Sequence, residues 1–420
     1  MAFLNKQTLS LIIFLIPASF VIGIALTELI VFLSILLFFI FNRDWSLYLE
    51  KKIIFLLIFS FYIFLNAKLQ ILDNLKFSSY LHFRFVFLSL SIIYFCQIIQ
   101  RSNKNLFLLL VSPIFLILFD VIFQFFSGAN LLGFQIINGR ISSFFNDELV
   151  LGSFLVRLCP IIIWAMFFFN IDLKKNFFYI TIFFSFYLIS IYLSAERTSF
   201  FLSIIFIFGI FLFIQSLRKI FVVSITAFLI FAFSISNFKI GNVDPSGRII
   251  LKTFNQITNY KYTEIDRTKH GLDTKNYKVF SNTHEGHIIL SLNLFNENKI
   301  FGIGPKGFRY YCRSVEYDPP LGVCSTHPHN ISIQILTELG LIGLIFYCIS
   351  GLFVLYNFFG PILRKKFSNE YLAFYSAALG LFINLFPLIP GGNFFNNWIS
   401  IMLYFNIGFY LYSYKKCINK

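Results

Sequence analysis

The chain is a succession of apolar runs, and their length limits what it can fold into. Residues 9–41 are apolar almost end to end. As one helix they would reach about 50 Å at 1.5 Å per residue, too far for a single bilayer crossing. Pro17 and Gly23 offer a break, so two short spans are expected there. Further runs at 53–66, 80–99, 105–126, 147–169, 176–194, 198–216 and 219–236 follow, with three more at 329–357, 370–389 and 395–414. Many come near the roughly 20 residues that a transmembrane helix needs. Composition agrees: 58% of residues are hydrophobic, 62 are Phe and only 13% are charged, where a soluble domain carries about 25% charged residues. A β-barrel would alternate apolar and polar residues, and these runs do not. The expected fold class is an all-α polytopic membrane protein with about twelve transmembrane helices.

The net charge of +15 does not make this a nucleic-acid binder. Most Lys and Arg sit in short clusters between spans, which is how a membrane protein encodes its topology. With the N-terminus in the cytoplasm, the inner segments hold sixteen Lys and Arg, among them Arg43, Lys51, Lys52 and the Arg364–Lys366 cluster. The short outer segments hold only Lys68, Lys76, Arg140 and Arg197, with Arg84 just inside the next span. Both termini are therefore expected to be cytoplasmic. The first apolar run resembles a signal peptide, but no small-residue cleavage site is evident, so it is expected to be retained. The chain then divides into helices 1–9 over residues 1–236, one long outward loop between helices 9 and 10 over 237–328, and helices 10–12 with a cytoplasmic tail over 329–420. The loop carries twelve Lys or Arg and eight Asp or Glu. Short helices are expected in it near 247–258 and 284–296.

Ionisable groups near membrane depth are costly, so each outward basic residue is a candidate for function. Arg197 lies in SAERTSFF beside Glu196. It either pairs with Glu196 to pin a turn or presents a fixed cation to a phosphate. Arg140 lies in NGRISSFFNDELVLGS ahead of Asp147 and Glu148, where a salt bridge and a ligand contact are both open. Arg248 follows the turn residues Asp244, Ser246 and Gly247 and, taken alone, reads as a solvated side chain. His284 and His287 flank Glu285 at i,i+3 spacing. That pattern invites a metal reading, but spacing fixes no third ligand, and neither a metal nor another cofactor is expected. In STHPHN, Pro328 holds His327 extended, and His329 or Asn330 can begin the next helix. A neutral imidazole there is suited to taking a proton near pH 7, while the plainer reading is a capping cluster. Glu338, further along that helix, can orient a base or satisfy polar neighbours. Cys312 and Cys324 are separated by eleven residues and are expected to close a disulfide in an oxidising compartment.

GIGPKGF followed by HPHNISIQILTELGLIG resembles the C-terminal signature of the O-antigen ligase and O-antigen polymerase family, bacterial inner-membrane glycosyltransferases. RISSFFNDELVLGSFL and SAERTSF precede it in the family's order. The resemblance implies transfer of a glycan from undecaprenyl pyrophosphate to an acceptor hydroxyl on the periplasmic side, without metal or nucleotide. The acceptor would be lipid A core for a ligase or a second lipid-linked glycan for a polymerase. It further implies that Arg197 binds the pyrophosphate and that His329 activates the hydroxyl, with His327 kept as a second catalytic candidate. The family's second arginine usually stands in a Gly-Arg pair shortly before GIG. Here that place reads Gly286-His287, which leaves Arg248, His287 and Arg309 as alternatives. A flippase for lipid-linked glycans is the runner-up. It would need charged groups through the depth of the bilayer, and within the spans only Arg157 and Arg84 stand out.

Overall fold

A computed structural model describes residues 9–69, 79–238, 241–258, 282–312, 324–364 and 366–418. Among them there is no strand, only two isolated bridges that tighten the 128–142 loop. Gly23, at φ 149°, separates α1 (Leu11–Ile22) from α2 (Ile24–Phe41), while Pro17 stays inside α1. There follow α3 (Lys51–Leu69), α4 (Phe83–Ile98), α5 (Lys104–Ser127), α6 (Leu151–Phe168), α7 (Phe177–Leu193), α8 (Arg197–Phe213) and α9 (Arg218–Phe238). The polar segment contributes a π-helical turn at Gly247–Leu251, then α10 (Lys252–Thr258), α11 (Asn282–Glu297) and α12 (Phe308–Tyr311). The chain ends with α13 (Ile331–Leu363), α14 (Asn369–Asn384) and α15 (Asn397–Cys417). By length and composition, α2, α3, α5, α6, the 215–238 stretch containing α9, and α13 can each cross a membrane. Four shorter apolar helices, α1, α4, α7 and α8, accompany them.

The middle of the bundle is α6. It is apolar on every side, the pattern of a helix enclosed by others, and 94% of its membrane-length window is buried. It packs chiefly on α14, while α15 lies between α14 and α4. Two hydrogen bonds tie it to its neighbours: Trp164 Nε1 donates to Ser413 Oγ at 2.7 Å, and Ser376 Oγ donates to the Pro160 carbonyl at 2.6 Å. Lipid-compatible side chains such as Phe32, Leu108 and Phe233 form the outer surface of the peripheral helices.

α13 is broken at Gly340, which takes φ 66° and ψ −163°. The break frees backbone groups, and residues 299–304 satisfy them. Ile303 N donates to Thr337 O at 3.0 Å, Gly304 N to Glu338 O at 2.7 Å, and Leu341 N to Lys299 O at 2.8 Å. The GIG motif is thus a splice that docks the end of the polar segment into a membrane helix. A small separate core of Leu290, Leu294, Ile303, Phe308 and Cys312 holds the described part of that segment together.

Candidate active site

The SAERTS turn joins α7 to α8 in three residues, with Ala195 at φ 50°. It rests on the N-terminus of α6, where Gly152 permits the contact: a Cβ there would lie 2.5 Å from Ser194 Oγ and 2.6 Å from Glu196 Oε2. Glu196 accepts hydrogen bonds from the Ser153 amide, from Ser153 Oγ at 3.1 Å and from Ser199 Oγ. A carboxylate on the first amides of a helix is also favoured by the helix dipole. The ion-pair partner recorded for Glu196 is Arg140, at 3.5 Å, rather than its neighbour Arg197. Arg140 also donates to Ser194 O at 3.3 Å and Leu149 O at 2.7 Å. Arg140 and Glu196 therefore brace the turn that carries Arg197.

Asn330 caps α13, its Oδ1 accepting from Ile333 N at 3.0 Å, and its Nδ2 donates to Pro387 O at 2.7 Å. The preceding His329 sits at φ 56°, a left-handed conformation that costs a non-glycine residue energy and persists only where neighbours enforce it. The enforcing neighbour is the loop between α14 and α15. Gly391 N donates to His329 O at 2.7 Å, and Gly391 O faces His327 Nε2 at 3.1 Å. Thr326 Oγ1 lies 3.0 Å from His327 Nδ1. A carbonyl can only accept, so His327 carries its proton on Nε2 and accepts from Thr326 at Nδ1. Both nitrogens of His327 are thereby occupied. Among the described residues no hydrogen bond holds the half-buried His329 ring, which packs 4.1 Å from the His327 ring, 5.0 Å from His287 and 6.2 Å from His284, centroid to centroid.

These elements surround a cavity of about 1050 Å³. Arg140, Glu196, Arg197, Arg248, His284, Arg309, His327 and His329 all line it. Among the described residues four guanidinium groups and one carboxylate, Glu196, line it, and the turn already uses that carboxylate. Arg248 donates to Asn138 O at 3.3 Å, and Arg309 has a buried Nε with no hydrogen-bond partner among the described residues. The imidazoles add no charge at neutral pH. Burial, then His329 and Arg197, press the His284 pKa down to about 4. Burial, then His329, press His327 down to about 3 against the pull of the Gly391 hydrogen bond. Burial also lowers His329. The cavity thus offers fixed cations and neutral imidazoles together, the combination that an anionic leaving group and a proton-losing nucleophile need.

Three candidate residues stand behind this surface. His287 packs between His329 and Phe308 and does not line the cavity. Glu338 is fully buried, accepting from Phe308 N at 3.1 Å and Gln334 Nε2 at 2.9 Å. Gln334 Nε2 also donates to Asn393 Oδ1 at 2.8 Å, linking Glu338 to the α14–α15 loop. Asn330 acts at the helix cap. Cys312 and Cys324 are bonded, with Cα atoms 5.1 Å apart. Among the described residues, no three His, Cys, Asp or Glu side chains converge as a metal site requires. Sequence reasoning passed over the 389–399 loop and helix start, although Pro390, Gly391, Gly392, Asn393, Asn396 and Trp398 form one wall. The signal was the IPGGNFFNNW stretch, a Pro-Gly-Gly-Asn cluster between two apolar runs.

Residues 182–348 match the family model described as O-antigen ligase. That stretch contains Arg197, Arg248, His284, Arg309, His327, His329 and both bonded cysteines, while Arg140 precedes it. No curated protein matches the chain at a significant level. The SAERTS turn, GIG splice and HPHN cap around the cationic cavity all lie within residues 182–348, the stretch that is similar to the O-antigen ligase family.

Proposed function

We propose that this membrane glycosyltransferase of the ligase or polymerase type moves a glycan from undecaprenyl pyrophosphate to an acceptor hydroxyl in the cationic cavity, on the periplasmic side of the bacterial inner membrane. Arg197, Arg248 and Arg309 bind the pyrophosphate, and His329 takes the proton of the attacking hydroxyl. The observation that carries this is the convergence of those arginines with His329 around one cavity. The acceptor oxygen bonds to the anomeric carbon while the bond from that carbon to the phosphate oxygen breaks. The hydroxyl proton passes to His329, and undecaprenyl pyrophosphate departs with the electron pair. Attack on the face opposite the leaving group inverts the anomeric centre.

Guanidinium groups fixed in a water-poor cavity stabilise the developing phosphate charge more than bulk water does, because they need no reorganisation. Losing one such donor typically costs about 10²–10³ in rate. His327 and Arg140 serve as positioning residues, since the protein itself uses their polar atoms. The reading places twelve crossings around this cavity with both termini in the cytoplasm. No metal or nucleotide takes part. Lipid A core as acceptor defines a ligase, and a second lipid-linked glycan defines a polymerase. The test is glycan transfer by Arg197→Ala and His329→Ala, with membrane insertion measured in parallel. Both variants should insert normally and lose transfer; wild-type rates in both would overturn the assignment. The polysaccharide banding restored in ligase-deficient and polymerase-deficient hosts separates the two acceptors. Transport of the carrier across liposomes without glycosidic bond formation would favour a flippase instead.

A further inference from the structure

A second cavity lies between α3, α13, α14 and α15, and the reaction above does not use it. It holds about 300 Å³, and apart from one end its wall is almost wholly hydrocarbon and aromatic, including Phe55, Phe59, Phe346, Phe353 and Leu403. Beyond the break at Gly340, α13 turns Phe346, Phe353 and Val354 toward this groove, while Ile345 and Leu352 are exposed on its outer side. One end of the groove reaches Ile335 and Phe394, beside Asn393 of the cationic cavity. The other end is closed by Lys51 and Lys52.

Those lysines are what make the groove informative. Lys52 Nζ sits 4.1 Å from the Tyr414 ring centroid and 5.9 Å from that of Phe353. The adjacent acid, Glu50, is committed to Lys415 at 2.7 Å. From Trp398, at the cationic cavity, to Tyr414 the helix α15 rises about 24 Å, so the lysines stand at the opposite end of the bundle. An apolar slot capped by two ammonium groups complements a molecule with a hydrocarbon chain and one anionic head.

We propose that this groove binds an anionic phospholipid, one acyl chain lying along α13 and the phosphate seated on Lys51 and Lys52 in the leaflet away from the reaction. The donor's own prenyl chain fits less well. Its phosphates belong at the cationic cavity, so its tail would bring hydrocarbon, not an anion, to the lysines. A lysine meets phosphate as a point charge, without needing bidentate geometry. Basic residues at a membrane surface favour anionic lipid for the same reason.

The full-length protein, purified from membranes and placed in nanodiscs of mixed phosphatidylglycerol and phosphatidylcholine, tests this by native mass spectrometry of the lipid that stays bound. Wild-type protein should retain phosphatidylglycerol in preference to phosphatidylcholine. The double variant Lys51→Gln/Lys52→Gln should weaken that retention at least about tenfold. Val354→Trp, which fills the groove and leaves the lysines in place, should abolish it. Equal retention of both lipids by wild type, or unchanged phosphatidylglycerol retention in the lysine variant, would overturn the proposal. So would retention of a polyprenyl phosphate that the lysine variant does not alter. The readout is bound lipid rather than glycan transfer, so its failure is distinguishable from failure of the assigned reaction.

Discussion

Replacing Gly340 by alanine should damage this protein far more than replacing Gly351, eleven residues along the same helix. Gly340 holds φ 66° and ψ −163°, a region that L-residues rarely enter, at about 1–3 kcal/mol. A Cβ there would stand 2.2 Å from Ile300 O and 2.7 Å from Gly302 N. Both are backbone atoms of the splice, so neither can swing aside. Relief requires residues 299–304 to withdraw, which forfeits the hydrogen bonds from Ile303, Gly304 and Leu341. At about 1 kcal/mol each, the three bonds and the strain together come to about 4–6 kcal/mol. For a chain of this size that corresponds to a fall of about 5–7 °C in the midpoint of heat inactivation. Gly351 meets nothing within 4 Å of its virtual Cβ, so alanine there should be neutral or stabilising by up to about 1 kcal/mol. The assay is retained glycan transfer after heating in detergent, run on both variants. The reasoning is refuted if Gly340→Ala stays within a degree or two of wild type, or if both variants shift equally.

The bracing of the SAERTS turn predicts that Glu196→Gln leaves Arg140 without its charge partner and costs about 3 kcal/mol of stability. Transfer should then fall although Glu196 meets no substrate, and a variant with unchanged melting would disprove the brace. Acidification should act through the histidines. His329 must be neutral to accept a proton, and burial lowers its pKa, so the acidic limb of transfer should lie below the ordinary histidine value of about 6.5. His284 and His327 fold with values of about 4 and about 3. The unfolded chain therefore binds more protons below about pH 6.5. Their contribution to stability is complete above that pH and is lost as the pH falls toward 4 and then 3, which melting between pH 7.5 and pH 4 would reveal. Replacing Cys312 and Cys324 together by serine opens a closed loop of about 13 residues and should cost on the order of 3 kcal/mol. Reductant should reproduce that loss in wild type and leave the double variant unmoved.

Much of this was readable before any coordinates, because the signals were local. The short helices expected near 247–258 and 284–296 stand at Gly247–Thr258 and Asn282–Glu297, where turn residues precede apolar periodicity. Gly23 parts the first long run as expected, and a helix begins directly after Asn330. Other features had no local signature. Glu196 pairs with a residue 56 positions earlier in the chain instead of its neighbour. His327 owes its fixed tautomer to a backbone carbonyl at Gly391, and every residue carries a carbonyl. The continuous apolar stretch after residue 331 gave no hint that Gly340 breaks it.

Hydrocarbon length, Lys and Arg placement and the HPHN and SAERTS stretches determined on their own that this is a helical membrane protein with basic and imidazole groups gathered at helix ends. Only the packing decided which of those groups meet a cavity and which serve the frame. Arg140 and His327 look catalytic in one dimension; in three, protein oxygens and a hydroxyl occupy their polar atoms. Hydropathy is a property of each segment by itself, whereas a polar atom's availability depends on every segment that folds against it.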